Sequence, residues 1–308
     1  VNSVLIYTVH KAASTFLDRL TQQVAADLGV RHYSISDERY FDRIRTVSWK
    51  SFIEGANRGG CFGPIRGGAA EPCLPEDISP YRVILHLRDP RDVLTSMFFS
   101  HVYSHARREG RFNPSDDQRR AWEEEGIDAF VLKKAAMIRE RYEILCAGLL
   151  GSVSTRAPQV SDGGRMPEEP ASCHAPAEPT LASPPVNELC KRDNVILVKY
   201  ETLVTDFGMW LHDYLSAFAR IAQGRRRLLG LIPRRPHLGK LHEKYFELFR
   251  NEFATQGENI RQHKRQVTPG DHRRKLSAAT IEELNREFAD VLAVLDYQDH
   301  SCTGADAA

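Results

Sequence analysis

Lys11, Ser14 and Thr15 fall within five residues of one another, just after the apolar run Val4–Tyr7. An ammonium and two hydroxyls at a strand end suit one task above others: holding an anion such as a phosphate. Val4 to Tyr7 has strand character, and the run breaks at His10-Lys11-Ala12-Ala13. Ser14 and Thr15 open a helix in which Phe16, Leu17 and Leu20 keep helical spacing. Strand, tight loop and helix N-terminus together aim unpaired N–H groups and the positive end of a dipole at one point. The loop has no glycine, and Lys11 precedes Ser14 by three, so it is not a Walker A loop. An ordinary surface lysine at a strand end is the competing reading.

A second anion site is written around Arg88. Tyr81 to Leu87 (YRVILHL) is the clearest buried strand in the chain. After it, Asp89 fits an N-cap, Pro90 the first helical position and Asp92 the third. Ser96 lies two helical turns beyond this cap, on nearly the same face as Asp89. Helix side chains lean toward the N-terminus, so the Ser96 hydroxyl can share an anion with Arg88. An ion pair of Arg88 with Asp89 or Asp92 is the competing reading. Two anion sites at one sheet edge point to a ligand with two separate phosphate groups.

The elements that must position these residues alternate between strand and helix. Short strands are expected at Val30–Ile35, Cys61–Ile65 and Asn194–Lys199, with helices between and after them. The helices are expected at Ser14–Leu28, from Asp89 to about His105, over much of Asp117–Leu150, from Tyr200 to about Ala222, at Leu238–Phe253 and at Ala278–Leu295. Alternation of this kind implies an α/β fold, a mostly parallel sheet flanked by helices on both faces. Ligands in such sheets sit beyond the carboxyl ends of the strands, where Lys11 and Arg88 both fall. Residues 151–188 are crowded with Pro, Ser, Ala and Gly and hold almost no large apolar side chain. They read as a disordered surface insertion in a single domain spanning 1–308.

Composition narrows the partners. The 308 residues carry 42 Lys and Arg against 41 Asp and Glu, a net charge of +1, so no long-range field argues for nucleic acid. The six cysteines form no C-x-x-C pair, so neither a zinc site nor a disulfide framework is indicated. No run approaches the roughly 18 apolar residues of a membrane span. The residues at hand begin in a core strand, with no secretory signal, and the expected location is cytoplasmic.

Four segments, taken in order, resemble the sulfotransferases that use 3′-phosphoadenosine 5′-phosphosulfate (PAPS). His10-Lys-Ala-Ala-Ser-Thr-Phe-Leu resembles their 5′-phosphosulfate loop, commonly P-K-S-G-T-T-W. Arg88-Asp-Pro-Arg-Asp-Val-Leu-Thr-Ser96 is similar to their 3′-phosphate motif, with Arg and Ser eight apart. Leu197-Val-Lys-Tyr-Glu-Thr-Leu-Val-Thr-Asp206 is similar to their Y-E-D-L segment, whose Tyr approaches the adenine; the position here is Tyr200. Arg265-Gln-Val-Thr-Pro-Gly-Asp271 resembles their R-K-G-x-x-G-D segment, which closes over the 3′-phosphate. The likeness spans nearly the whole chain apart from the insertion. It implies a P-loop-like sulfotransferase fold and transfer of a sulfuryl group from PAPS to a hydroxyl or amine, with no metal. The acceptor it implies is a small molecule, a carbohydrate or a lipid.

The resemblance also implies roles. Lys11 stabilises the bridging oxygen of the donor, while Ser14 and Thr15, with the N–H groups of Ala12 and Ala13, hold the 5′-phosphate. Arg88, Ser96 and Arg265 hold the 3′-phosphate, and Phe16, where the family has Trp, can stack on a purine. His10 replaces Pro, Ala13 replaces Gly, and Gln266 and Val267 replace Lys and Gly. His272 stands where Trp is common. The family's catalytic histidine has no counterpart, because no histidine occurs from Arg39 to Leu85. Asp37 and Glu38, at the end of a strand expected beside the first, are the candidates for the general base; a solvated turn is the alternative. His101 and His105 read as structural. Two rival classes stay open. One is a nucleotide-dependent kinase, with Ile84–Asp89 as a Walker B strand; the other is a non-catalytic nucleotide-binding homologue.

Overall fold

The computed structural model describes residues 3–34, 37, 48–56, 59–66, 75, 77–104, 114–150, 192–219, 237–253 and 268–297. Glu38, His105, Arg265 and the expected insertion at 151–188 lie outside the described residues.

Five strands form one sheet in the order β2-β3-β1-β4-β5. They are β1 (Ser3–Thr8), β2 (Arg31–Tyr33), β3 (Gly60–Arg66), β4 (Tyr81–Leu87) and β5 (Val195–Lys199). All four pairings are parallel. This is the expected α/β class, and its central strands are buried on both faces. Val4, Ile6, Ile84 and Val198 pack on one side with Leu17, Leu20, Trp210 and Tyr214. Leu5, Tyr7, Val83, Leu85 and Leu87 pack on the other with Val93, Met97, Phe130 and Ile138. Period-two alternation with both faces apolar is what a doubly covered parallel sheet requires.

The helices are α1 (Ser14–Asp27), α2 (residues 48–54), α3 (Pro90–Phe99), α4 (Asp116–Glu125), α5 (Ile127–Leu150), α6 (Tyr200–Thr205), α7 (Phe207–Ser216), α8 (Leu238–Phe249), α9 (His272–Lys275), α10 (Ala278–Glu287) and α11 (Ala289–Val294). Two helices expected as single are broken. The segment after Tyr200 restarts at Phe207, where the Asp206 carboxylate accepts from Met209 N and caps a new helix. The last helix is interrupted at Phe288, a fully buried residue with φ −108° and ψ 17°. A π-helical turn, Ser100–Ser104, extends α3.

One expectation about topology is corrected. β2 does not neighbour β1; β3 lies between them. The physical reason is burial. β3 is seven residues long and buried throughout except at Arg66, so it takes an interior place. β2 is three residues with an exposed start, which suits an edge. At about 4.8 Å per strand, the end of β2, from which the chain leads to Asp37, lies roughly 10 Å across the sheet from the end of β1.

Candidate active site at the ends of β1 and β4

The strand order reverses between β1 and β4, the place where open parallel sheets bind ligands. Both anion motifs lead away from this point, and they touch. Arg88 Nη1 donates to the Lys11 carbonyl at 2.7 Å. The loop after β1 makes its tight turn without glycine. Lys11 (φ 62°) and Ala13 (φ 55°) both take the left-handed conformation, which costs a residue with a Cβ about 1–2 kcal/mol. Ala13 is the N-cap of α1, and its carbonyl accepts from Phe16 N and Leu17 N. Among the described residues the N–H groups of Ala12, Ala13, Ser14 and Thr15 donate to no acceptor. Those donors, at the positive end of a fourteen-residue helix, form an anion cradle.

Lys11 Nζ is hydrogen-bonded to Ser100 Oγ, in the π-helical turn. Burial, then the charges of Arg66 and Arg88, push the Lys11 ammonium down to about 8. The sequence places the Ser96 hydroxyl with Arg88 at the second anion site, not with Lys11. The structure leaves Ser96 half-buried on α3 and brings Ser100, one turn further on, to Lys11. No sequence signal marks the widened turn that does this, though such turns are common at functional sites.

Arg88 is 5% exposed, and its guanidinium lies 4.3 Å from the centroid of the Tyr200 ring. Its Nη2 is 3.9 Å from the Asp92 carboxylate. Burial opposes its charge, but Tyr200, Asp92, Glu201 and Asp89 outweigh burial and push its pKa up. Its Nε is buried with no partner among the described residues, a donor placed where an anion would satisfy it. Asp89 takes no part in this pair. Its two carboxylate oxygens accept from Arg91 Nε at 3.0 Å and Nη2 at 2.7 Å, and Oδ1 also caps α3 through Arg91 N. A Walker B aspartate must face the metal and phosphates, so the fully engaged Asp89 counts against a kinase.

Asp92 ties the last motif to this point. Its carboxylate accepts from Gly270 N at 2.8 Å, His272 N at 3.0 Å and His272 Nδ1 at 2.7 Å. Burial opposes its charge, yet His272, Arg88 and the backbone donor hold the carboxyl well below the usual range. The segment 268–275 is thus fastened four residues along from Arg88. Asp92→Ala should lower stability by about 3–5 kcal/mol, the cost of removing one partner from a buried charged network. Urea unfolding would show this as a fall in midpoint with an unchanged slope. A shift worth less than about 1 kcal/mol would mean that the 268–275 segment holds without Asp92.

Two other site residues lie differently from expectation. The Phe16 ring is 5% exposed and packs against Phe207, Trp210, Phe249 and Phe253, with centroids 4.8 to 6.2 Å away. A buried ring surrounded by four others has no face for a purine, and Tyr200 is the aromatic side chain beside Arg88. Asp37 follows β2, where its charge acts on His32. Sequence reasoning named Glu201 only as part of the Y-E segment. In the fold it is half-buried, accepts from the Tyr297 hydroxyl and from Asp89 N, and its partial removal from water pushes its pKa up. Among the described residues, no three His, Cys, Asp or Glu side chains converge as metal ligands would. Nor is any helix there long and apolar enough to cross a membrane.

Fold and site together define a parallel α/β protein in which a strand-end loop with open backbone N–H groups adjoins a buried arginine at the topological switch point. No protein-family model matches the chain, and no curated protein does. Solved structures to which it is similar include mouse sulfotransferase SULT7A1 complexed with PAP. That match has 12% identity and a TM-score of 0.48, covering 96% of this chain and 88% of the other. A retinol dehydratase in a complex with retinol and PAP is similar at 12% identity and a TM-score of 0.40, covering 98% of this chain and 83% of the other.

Proposed function

We propose that this chain is a PAPS-dependent sulfotransferase acting on a hydroxyl or amine. The observation that carries the reading is the contact of Arg88 with the Lys11 carbonyl, which joins the two anion motifs into one site. A ligand with one phosphate would need only one of them. The residues fit the donor: an open N–H cradle at the head of α1, and a buried arginine with an unpartnered donor beside Tyr200.

When bound, the donor supplies a sulfuryl group: the acceptor atom bonds to sulfur as the bridging S–O bond breaks, and the electron pair stays with the leaving 5′-phosphate. The chain's part is positioning and charge stabilisation. Lys11 is assigned to the charge that develops on the bridging oxygen. Ala12, Ala13, Ser14 and Thr15 are assigned to the 5′-phosphate. Arg88, Ser96 and Arg265 are assigned to the 3′-phosphate, and Tyr200 to the adenine. Asp37 and Glu38 stay the proposed carboxylates for the acceptor's proton, with Asp37 following the edge strand β2 rather than a strand beside β1. A cytoplasmic location accords with the scattered cysteines and the buried free thiol of Cys61.

Calorimetry with 3′-phosphoadenosine 5′-phosphate and with AMP, each in the presence of a chelator, tests the proposal. The bisphosphate should bind at least about tenfold more tightly, as one added charge-assisted contact implies. Equal affinities would sink the 3′-phosphate site. Mass spectrometry of an extract supplied with PAPS should then show products heavier by one sulfonate. Binding without any such product would favour the non-catalytic homologue.

A further inference from the structure

Among the described residues, the carboxylates of Asp89, Asp92 and Glu201 stand around Arg88, and none of them closes on it. Asp92, four residues on in α3, approaches to 3.9 Å. Asp89 is the next residue, and both its oxygens are taken by Arg91. Glu201 follows Tyr200, whose ring centroid lies 4.3 Å from the Arg88 guanidinium, and its Oε1 accepts from Asp89 N at 3.1 Å. Burial opposes the Arg88 charge, while Tyr200 and these carboxylates sustain it. An arginine beside a carboxylate frequently pairs with it fork to fork. Here the fork stays open: Nη1 donates to the Lys11 carbonyl, and Nε has no partner among the described residues.

Each carboxylate is engaged by other donors. Asp92 accepts from Gly270 N, His272 N and His272 Nδ1. Asp89 accepts from Arg91 Nε and Nη2. Glu201 has one oxygen on Asp89 N and the other on the Tyr297 hydroxyl. Tyr297 serves twice in this arrangement. Its carbonyl accepts at 3.0 Å from Arg91 Nη2, the same nitrogen that holds Asp89 Oδ2. Its own place is fixed from the C-terminal side, where its N–H donates to Leu292 O of α11 at 2.9 Å. The Lys199 ammonium lies 5.0 Å from its ring centroid. No motif marks Tyr297, which stands 96 residues from Glu201 in the chain.

We propose that Tyr297 is a positioning residue of the anion site: its hydroxyl holds the Glu201 carboxylate off Arg88 and so keeps the guanidinium available to the 3′-phosphate. The inference deepens the sulfotransferase reading and rests on its assignment of Arg88. A carboxylate and a phosphate compete for one guanidinium, and a phosphate must displace any carboxylate already paired with it. Carboxylates that stand near but are engaged elsewhere keep Arg88 charged without occupying its donors. Without the Tyr297 hydroxyl, Glu201 Oε2 loses its donor, and an acceptor partly removed from water seeks another. The Arg88 guanidinium, on which its charge already acts, can supply one. Tyr200 is held independently, in the core that includes Leu203, Phe207 and Trp210. The loss should therefore fall on the 3′-phosphate and spare the adenine.

Tyr297→Phe removes the hydroxyl and keeps the ring. In calorimetry on the full chain it should weaken 3′-phosphoadenosine 5′-phosphate by about fivefold to tenfold, the worth of one net hydrogen bond, and leave AMP within about twofold. Adding Glu201→Gln removes the competing charge and should bring the bisphosphate back to within about twofold of the parent chain. A hydroxyl that only packs gives no such rescue. An unchanged bisphosphate affinity in Tyr297→Phe overturns the proposal, as does an equal loss for AMP or a double variant no better than the single one. Loss of folding in Tyr297→Phe, read from urea unfolding, would make the hydroxyl structural and overturn it too. Should the bisphosphate fail to bind the parent chain, the donor reading falls, and the same three chains are titrated with inorganic sulfate. Sulfate binding that Tyr297→Phe weakens and Glu201→Gln restores would keep Tyr297 in its role at an anion site of another kind. No sulfate binding, or binding indifferent to Tyr297, overturns that role as well.

Discussion

Lys11→Ala should lower turnover at saturating PAPS by roughly 10² to 10³, with a much smaller loss of bisphosphate affinity. The argument is one of timing. The charge assigned to Lys11 appears on the bridging oxygen mainly in the transition state, so the contact strengthens as the bond breaks. The structure adds a pH signature. The ammonium is pushed down to about 8 by burial and by Arg66 and Arg88. A lysine is charged below its pKa, so kcat/KM for the donor should fall as pH rises through about 8. Bound anions favour the charged form, so the limb for kcat should lie at higher pH than the limb for kcat/KM. Lys11→Arg keeps a charge that does not titrate and should lose the alkaline limb, whatever its rate. Saturated turnover unchanged in Lys11→Ala would reduce the loop to a phosphate clamp.

Arg88→Ala should act the other way, through binding. The bisphosphate should lose about 1.5–3 kcal/mol, roughly 10- to 150-fold, while AMP, which lacks the second phosphate, should change far less. The 3′-phosphate is charged throughout the reaction, so this is uniform binding and saturated turnover should hold up better than affinity. Arg88 also holds the Lys11 carbonyl, lies over Tyr200 and faces Asp92. The alanine variant will therefore lose stability as well. Arg88→Lys keeps a charge and separates the effects: it should fold better than the alanine variant yet still lose part of the discrimination against AMP, because a point charge does not reproduce the planar fork. The ratio of bisphosphate to AMP affinity, measured by calorimetry in each variant, checks this. A ratio unchanged from the parent chain would place the 3′-phosphate elsewhere.

Much of what surrounds the site could be read locally. The strand Tyr81–Leu87, the Asp89 cap, Pro90 at the first helical position and the start of α1 at Ser14 all stand where the residues indicate. Each is decided by neighbours in the chain: an apolar run, a side-chain oxygen two residues from the N–H it accepts from, a ring with fixed φ. The same holds for Gly29, in the left-handed conformation just past α1, and for Ser277, which caps α10 through Thr280 N. The parallel α/β class followed because strand and helix patterns alternate, and a strand apolar on both faces needs helices on both sides.

Other features depended on which elements came together in space. Nothing local told that β3 would separate β2 from β1, and that order moved Asp37 outward and set Arg66 beside Thr8. Phe16 has the same helical spacing whether its ring meets a nucleotide or a core; four aromatic rings from α7, α8 and the residues after it decided for the core. Ser96 and Ser100 are equivalent in pattern, and a π-helical turn brought the second to Lys11. The chain alone determined that an ammonium, two hydroxyls and an arginine would stand at strand ends, because caps and periodicity act over a few residues. The tertiary structure decided which of them touch and which cations join them. Strand order, bulges and burial are settled by packing between segments that lie tens of residues apart.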